Sequence, residues 1–585
     1  MRPTVLRRTT VAAAVTTTLA GLTVAAALPA AAEPQHPSRP EPVDVQLLAL
    51  NDFHGALEPS TGSGGRIQTG PDPDGDGTAT APTVDAGGAE YLDTQLAALA
   101  EQQQQENTIT VAAGDLIGAS PLLSAAFHDE PTIEALGLAG LDYASVGNHE
   151  FDEGSAELLR IQDGGCHPVD GCADGTPYEG ADFQYLSANA FVTETGEPLL
   201  PPYAVHRVQG ERIGFIGMTL EGTGDIVSQQ GVAGLEFADE VETANRYATE
   251  LQAQGVEAIV VLLHQGGSQS GPDAWDVDGC AELTGPIVDI ATGMSDAIDV
   301  VVSGHTHQAY NCLVDDKVVT SAGSNGRLVT DIDLQLDRRT GDVVRETATA
   351  DNVVVERTVA ADAEQTALIA RYREVLGPIA AEVVGSVAVE LTRVQEDPLD
   401  GAESTLGNVI ADAQFAATDD EQGAVVAFMN PGGVRADLGA GEVTYEEAFT
   451  VQPFANNLVT LDLTGAQLNC LLEQQYQVGR VLYVSDSVRY QVDPAGTPAA
   501  AGADPCTGTR VPDGSVQIGG APVTADATYR VTVNNFLAGG GDGFSVLTGG
   551  TNPVTGAIDL DAFTAYLGAN SPVPAPALDR ITRVG

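Results

Sequence analysis

Basic residues are scarce in this sequence. Twenty-five lysines and arginines stand against 82 aspartates and glutamates, and the formal net charge is −57 at pH 7. A field of that sign repels polyanions, which argues against a stable nucleic-acid partner or a steady hold on an anionic membrane. It favours solubility and attracts divalent cations. Aromatic residues are also few, at 5%, with one tryptophan, yet 43% apolar residues are enough to build cores, so disorder is excluded. Long apolar runs are missing beyond the first thirty residues, which leaves no segment suited to spanning a bilayer. Six cysteines are too few, and wrongly spaced, for a cysteine-rich zinc site. What is present in quantity is chain: 585 residues exceed what one core can use, and two or three domains are expected.

The N-terminus reads as an export signal. Arg2, Arg7 and Arg8 form a positive start, Val11–Ala27 an apolar stretch, and Ala30-Ala31-Ala32 a small-residue cleavage site, giving a signal peptide over residues 1–32 and a secreted mature protein. In an exported chain an even number of cysteines implies disulfides; fifteen pairings are open, of which proximity suggests Cys166 with Cys172, Cys280 with Cys312 and Cys470 with Cys506. Residues 33–43 are proline-rich and read as a flexible leader. Within the Ser60–Val84 loop, Asp72-Pro73-Asp74-Gly75-Asp76-Gly77 resembles the start of a calcium loop, but Thr83 occupies its twelfth position where a glutamate is needed. A solvated insertion is the expectation there.

Strand-like and helix-like stretches then alternate. Strands are expected at Asp44–Leu50, Asn107–Ala113, Tyr143–Val146, Arg212–Met218, Ala258–Leu263 and Val300–Ser303, and helices at Gly88–Gln103, Pro131–Gly140 and Asp239–Gln254. Lys317–Ala322 and Val329–Leu336 read as antiparallel strands finishing the unit. This alternation predicts a layered α/β domain over residues 44–350. A helix over Ala361–Val383, inside a 351–383 connector, leads to an α+β domain at 384–583, with helices at Glu403–Phe415 and Gly465–Tyr476 and strands at Val425–Met429 and Tyr529–Val533.

Five short runs follow predicted strands: Asp52-Phe53-His54, Gly114-Asp115, Asn148-His149, His264 before Gln265-Gly266-Gly267, and Gly304-His305-Thr306-His307. Each has an ordinary explanation on its own. Asp115 can cap a helix, Asp52–His54 can be a turn, and His264 can be a core histidine. Five of the nine histidines falling in such runs is harder to attribute to capping. Strand C-terminal ends in α/β sheets are where ligands collect. Imidazoles mixed with carboxylates suit zinc, manganese or iron, and one carboxylate can bridge two ions about 3.5–4 Å apart. In Gly147-Asn148-His149-Glu150-Phe151-Asp152, an imidazole with a carboxylate three positions on can carry or donate a proton.

These motifs resemble the calcineurin-like metallophosphoesterases, and in this order the secreted 5′-nucleotidase family. The resemblance implies a four-layer α/β sandwich domain followed by an α+β substrate-specificity domain. It further implies two divalent metal ions (zinc, manganese or similar). Asp52, His54, Asp115 and His307 would hold one, and Asp115, Asn148, His264 and His305 the other. His149 would touch the scissile phosphate, oriented by Asp152. The C-terminal part carries further matching runs at Glu403–Asn408, Asn430–Arg435, Gln452–Asn456 and Phe536–Gly543. By that resemblance Phe454 and Phe536 sandwich a base, each worth about 1–3 kcal/mol. Asn456 bonds the base, Asp542 the ribose and Arg435 the phosphate, and Asn430 and Gly433 complete the substrate set. One departure stands out: Asp400 lies where relatives carry an arginine, with Arg393 nearby as a substitute. The implied function is release of phosphate from 5′-nucleotides by a hydroxide held on the metal pair. A 2′,3′-cyclic phosphodiester, a UDP-sugar or a nucleotide pyrophosphate is the alternative substrate of the same site. The intact ligand set argues against a non-catalytic nucleotide-binding surface protein.

Overall fold

β1 (Val43–Leu50) is buried at every position but Asp44. Its alternate side chains serve two cores, as the two-residue period of a strand dictates. Val45, Leu47 and Ala49 enter one apolar cluster, and Leu48 and Leu50 enter another. A strand buried on both faces lies inside a layered structure. The computed structural model describes residues 41–584 except 61, 72–80, 103, 104, 228–230, 395–402 and 455. The signal segment 1–32, most of the 33–43 leader, the aspartates of the calcium-type loop and Asp400 lie outside the described residues.

β1 is joined in parallel by β2 (Thr108–Ala113), which is followed in the same sense by β3 (Tyr143–Ser145) and β4 (Gln184–Leu186). The second sheet is built from β5 (Tyr203–Val208), β6 (Glu211–Thr219), β7 (Ala258–His264), β8 (Val300–Ser303), β9 (Ala309–Val314) and β10 (Lys317–Ala322). β6, β7, β8 and β10 run parallel within it. β11 (Leu328–Leu336) and β12 (Thr349–Val354) return to the first sheet, whose order is β12-β11-β1-β2-β3-β4. β10 and β11 therefore do not finish the unit side by side. Each is antiparallel to a neighbour, β10 to β9 and β11 to β1 and β12, but they lie in different sheets. Local pattern carries no information on which sheet a strand joins.

The two sheets meet through Val45, Leu47, Ile109, Val111, Val260, Leu262, Val300 and Val302. Outside the first sheet lie α1 (Ala89–Gln102) and α2 (Glu130–Leu138), and outside the second α4 (Glu240–Ala253) and α5 (Pro286–Gly293); α3 (Ser155–Asp163) follows β3. Leu92 and Leu96 of α1 and Ile133 and Leu136 of α2 pack on Leu48 and Leu50. Tyr247 and Leu251 of α4 and Ile287 of α5 pack on Ile259 and Val261. The result is the four-layer sandwich, helix–sheet–sheet–helix. All five candidate runs leave the strands at one common edge.

α6 (Ala363–Ala380) is capped by Asp362, whose carboxylate accepts from Glu364 and Gln365 amides at 2.8 and 3.0 Å. Its Arg373 pairs with Glu58 on one side and Glu446, at 2.8 Å, on the other. Beyond it lies a five-stranded mixed sheet. Its strands are β13 (Val426–Met429), β14 (Asn457–Thr464), β15 (Tyr483–Val484), β16 (Thr528–Asn534) and β17 (Thr551–Ile558), in the order β15-β13-β16-β14-β17. α7 (Thr405–Ala416) and α9 (Asp559–Asn570) cover one face, and α8 (Gly465–Gln477) the other. Met429 points to the first and Phe428 to the second, again the period of two. The three disulfides are those expected from proximity: Cys166–Cys172, Cys280–Cys312 and Cys470–Cys506. Among the described residues no helix is long and apolar enough to cross a membrane.

Gly407 of α7 faces the Tyr483 ring so closely that an added Cβ would lie 2.3 Å from it. Gly407→Ala gains about 1 kcal/mol of helix propensity but overpacks a buried ring, which costs about 1–3 kcal/mol. The clash wins, and a lower unfolding midpoint by circular dichroism is expected. An unchanged or higher midpoint would show that the tyrosine moves aside freely.

Candidate active site

The residues at the common edge adopt unusual backbone. Asp52, His54, Asp115, His305 and His307 all have positive φ, at 50°, 48°, 48°, 70° and 55°. Left-handed backbone at a non-glycine residue costs on the order of 1–3 kcal/mol and persists only where surroundings over-determine it. The surroundings here are backbone contacts between loops. The Asp52 amide donates to Gly114 O and the His54 amide to Asp115 O, both at 3.0 Å. The His305 amide donates to the Asp52 carboxylate at 3.0 Å. Two glycines in the motifs are needed for this proximity: a Cβ on Gly147 would lie 2.2 Å from Asp115 Oδ1, and one on Gly114 2.6 Å from Gly147 N.

Buried Glu150 staples the loops together. Its Oε2 accepts from Asp115 N at 3.0 Å and Gly147 N at 2.5 Å, and its Oε1 from Leu116 N at 2.8 Å. Burial and the nearby Asp115 carboxylate push its pKa up, to about 7, against the pull of these N–H donors. Glu150 was not singled out from the sequence, where it is one acid among 82. Its place between Asn148-His149 and Asp152 is the only signal it offers.

Two groups of donor atoms share Asp115. In one, His54 Nε2 lies 3.8 Å from Asp115 Oδ2, 3.9 Å from Asp52 Oδ1 and 3.0 Å from His307 Nε2, and His307 Nε2 lies 3.3 Å from Asp52 Oδ1. In the other, His264 Nε2 lies 2.9 Å from Asp115 Oδ2, with His305 in the same group. The outer nitrogens are committed: His54 Nδ1 lies 2.9 Å from Gly118 O and His264 Nδ1 2.8 Å from Ala113 O. That turns each Nε2 inward, with its lone pair free wherever the ring is neutral. Nearby, the Asn148 side-chain oxygen is fully buried with no hydrogen-bond partner, a costly state for an amide.

Charge leads to the same conclusion. Burial raises the Asp52 and Asp115 carboxyls, but the facing imidazoles outweigh it and both remain ionised. Burial pushes His54 down to about 3 and His305 down to about 4, so both are neutral. His264 loses to burial but gains more from Asp115, and reaches about 10. The two buried carboxylates thus demand positive charge at this spot. Lone-pair imidazoles, ionised carboxylates and an orphaned amide oxygen are the donor set of hard-to-borderline divalent cations, so the residues present fit such ions.

His149 stands beside this cluster. Its amide donates to Asp115 Oδ1 at 2.9 Å and its Nδ1 lies 2.6 Å from Asp152 Oδ2. Burial opposes the imidazolium, but Asp152 and Asp115 outweigh it and push His149 up to about 9. A cavity of about 640 Å³ opens here, and its far wall comes from the C-terminal domain. Asn430, Gly433, Arg435, Phe454, Asn456, Phe536 and Asp542 all line it. Phe454 stacks on the His149 ring, centroids 6.0 Å apart and 12° from parallel, with the Arg435 guanidinium 5.7 Å from the Phe454 centroid. Burial and the Arg393 charge lower the Arg435 pKa. Asp542 is held by Asn430 at 3.0 Å and by Arg480, and Asn430 in turn by Asn534 at 3.0 Å. The Asn456 carbonyl accepts from the Asp559 amide at 2.8 Å. Arg480 and Asn534 escaped the sequence reading because neither sits in a recognisable run.

A four-layer sandwich with this cluster at the shared edge of its sheets defines a metallophosphoesterase. The chain belongs to the 5′-nucleotidase family: a calcineurin-like phosphoesterase model matches residues 45–309 and a 5′-nucleotidase C-terminal domain model residues 383–549. It is 34% identical over 540 residues to endonuclease YhcR of Bacillus subtilis, covering 90% of this chain and 40% of that protein. It is 32% identical over 555 residues to cell wall protein Lmo0130 of Listeria monocytogenes, covering 89% of this chain and 66% of that protein. The chain thus spans less than two thirds of these relatives' own length. The crystal structure of a 5′-nucleotidase precursor from Thermus thermophilus superposes with a TM-score of 0.68 at 26% identity, covering 93% of this chain and 100% of that one.

Glu150→Gln replaces one acceptor oxygen by an NH₂ that must face a backbone N–H. The expected loss is about 1–3 kcal/mol from the unsatisfied pair, read as a lower midpoint in urea. A neutral substitution would remove Glu150 from its stapling role.

Proposed function

We propose that the protein is an exported phosphohydrolase that releases phosphate from 5′-nucleotides at a dinuclear metal centre. The proposed catalytic domain is residues 44–350, and residues 384–583 form the substrate domain beyond a 351–383 connector. The observation that carries the reading is the single cavity in which the His/Asp cluster and the C-terminal aromatic and basic residues face each other. Asp52, His54, Asp115 and His307 would hold one ion, and Asp115, Asn148, His264 and His305 the other. When bound, such a pair activates water and neutralises charge on a phosphate.

The protein's own groups supply the rest. Asp152 holds Nδ1 of His149 at 2.6 Å, which leaves Nε2 as the available donor. A protonated His149 then offers a hydrogen bond to a phosphoryl oxygen as charge builds on it. Arg435, exposed beside the Phe454 ring and outside any carboxylate pair among the described residues, offers a fork for the remaining oxygens. Phe454 and Phe536 present ring faces to a base, Asn456 its amide, and Asp542 a carboxylate to ribose hydroxyls, with Asn430 and Gly433 shaping that wall.

A second reading keeps the centre and changes the bond: hydrolysis of a phosphodiester. The 34% identity to a protein named an endonuclease favours it. Phosphate release from a 5′-mononucleotide panel, run against bis(p-nitrophenyl) phosphate, separates the two. Higher turnover on AMP supports the first reading, and higher turnover on the diester supports the second. His149→Ala is expected to lower turnover by about 10²- to 10⁴-fold while the metal content stays at the wild-type value. Unchanged turnover in that variant would remove catalysis from this site.

A further inference from the structure

A second gathering of imidazoles and carboxylates lies behind the His149–Asp152 pair. His128 stands in the turn before α2, Glu153 and Glu157 at the start of α3, and His167 and Asp170 inside the ring closed by Cys166–Cys172. Both ring nitrogens of His128 face carboxylates: Nδ1 lies 2.8 Å from Glu153 Oε2, and Nε2 3.0 Å from Asp170 Oδ2. His167 Nδ1 lies 3.1 Å from that same Asp170 oxygen. The two rings stack, 3.8 Å apart and 18° from parallel. Glu157 belongs to another partner, since Arg160 takes its oxygens at 2.6–3.0 Å. His128, His167 and Asp170 offer donor atoms all within 4.8 Å of one another, and Glu153 holds the outer nitrogen, Nδ1, of His128.

We propose that His128 through Nε2, His167 through Nδ1 and Asp170 form a third divalent-cation site, of zinc type, separate from the dinuclear centre, with Glu153 holding Nδ1 of His128. Three observations support it. Nε2 of His128 and Nδ1 of His167 both approach the same Asp170 oxygen, so two imidazole nitrogens and a carboxylate already share one spot. Ligand atoms about 2.0–2.2 Å from zinc in a tetrahedron stand about 3.3–3.5 Å apart, and the 3.0 and 3.1 Å spacings here need to open by only a few tenths. Coordination through His167 Nδ1 would displace only its long 3.2 Å contact with the Asp170 amide. The mixed nitrogen and oxygen set selects zinc over magnesium or calcium, which take oxygen alone.

The site is reachable from solvent: the side chains of His128, His167 and Asp170 are 17%, 15% and 58% exposed. The disulfide ring pre-arranges two of the ligands, which lowers the ordering cost of binding. A bound ion ties that ring to the segment carrying Asp152 and Glu153.

Equilibrium dialysis of the full chain against zinc, followed by metal analysis, tests this. The wild type is expected to hold one zinc per chain more than either His167→Gln or Asp170→Asn, with phosphate release unaltered in both. Each variant is scored on protein that keeps the wild-type circular dichroism spectrum. Both residues lie on an exposed ring, so two independent variants guard against a folding artefact. Equal zinc in all three proteins would overturn the proposal. Because the readout is a difference of one equivalent, it is independent of the nucleotide reading of the main cavity.

Discussion

Two ionised carboxylates, Asp52 and Asp115, are buried at the meeting edge of two sheets, and among the described residues the facing positive charge comes from imidazoles. Buried charge must be paired or must bind a cation. Everything around the pair follows from that demand. Backbone amides of His149 and His305 donate to the carboxylates, Gly147 makes room for Asp115, and Glu150 pins the amides of three neighbouring residues. Five donor-bearing residues are held in left-handed backbone, a strain sustained by these loop-to-loop hydrogen bonds. A pre-strained, pre-aimed donor set grips an ion with little reorganisation.

The C-terminal part adds a second wall to the metal-type cluster and encloses a cavity of about 640 Å³. Phe454 comes from a loop after the helix that follows Asn430–Arg435, yet its ring lies parallel to His149 from the other domain. Arg435 and Phe454 place a cation and a flat apolar face within one residue's reach of the Asp/His cluster. Arg373 of α6 pairs across the same junction with Glu58 and Glu446, but half-exposed pairs contribute at most about 1 kcal/mol. The junction is therefore held in this arrangement only weakly by ion pairs.

Much was legible beforehand for a physical reason. Val300–Ser303 and Lys317–Ala322 were bounded to the residue because β-branched runs ended by glycine or charge leave no helical alternative. Asp52, His54, Asp115, Asn148, His264, His305 and His307 were picked out because strand ends concentrate function, and the structure brings all seven together. Glu150, Arg480 and Asn534 were not. Their roles depend on partners 30 to more than 100 positions away, such as Glu150 with Asp115 and Asn534 with Asn430. Likewise β10 and β11 look alike locally, and only the packing sends them to different sheets.

The sequence by itself determined the main alternation of strands and helices, the family resemblance and the identity of the metal-type side chains, and it suggested the disulfide pairing, because each is written in short-range pattern or spacing. Only the tertiary structure decided that two sheets present their ends at one edge, that the C-terminal aromatics close over them, and that His128 meets His167 and Asp170. Those facts are distances between residues far apart in the chain, and they arise from burying apolar faces against each other. No local stretch encodes them.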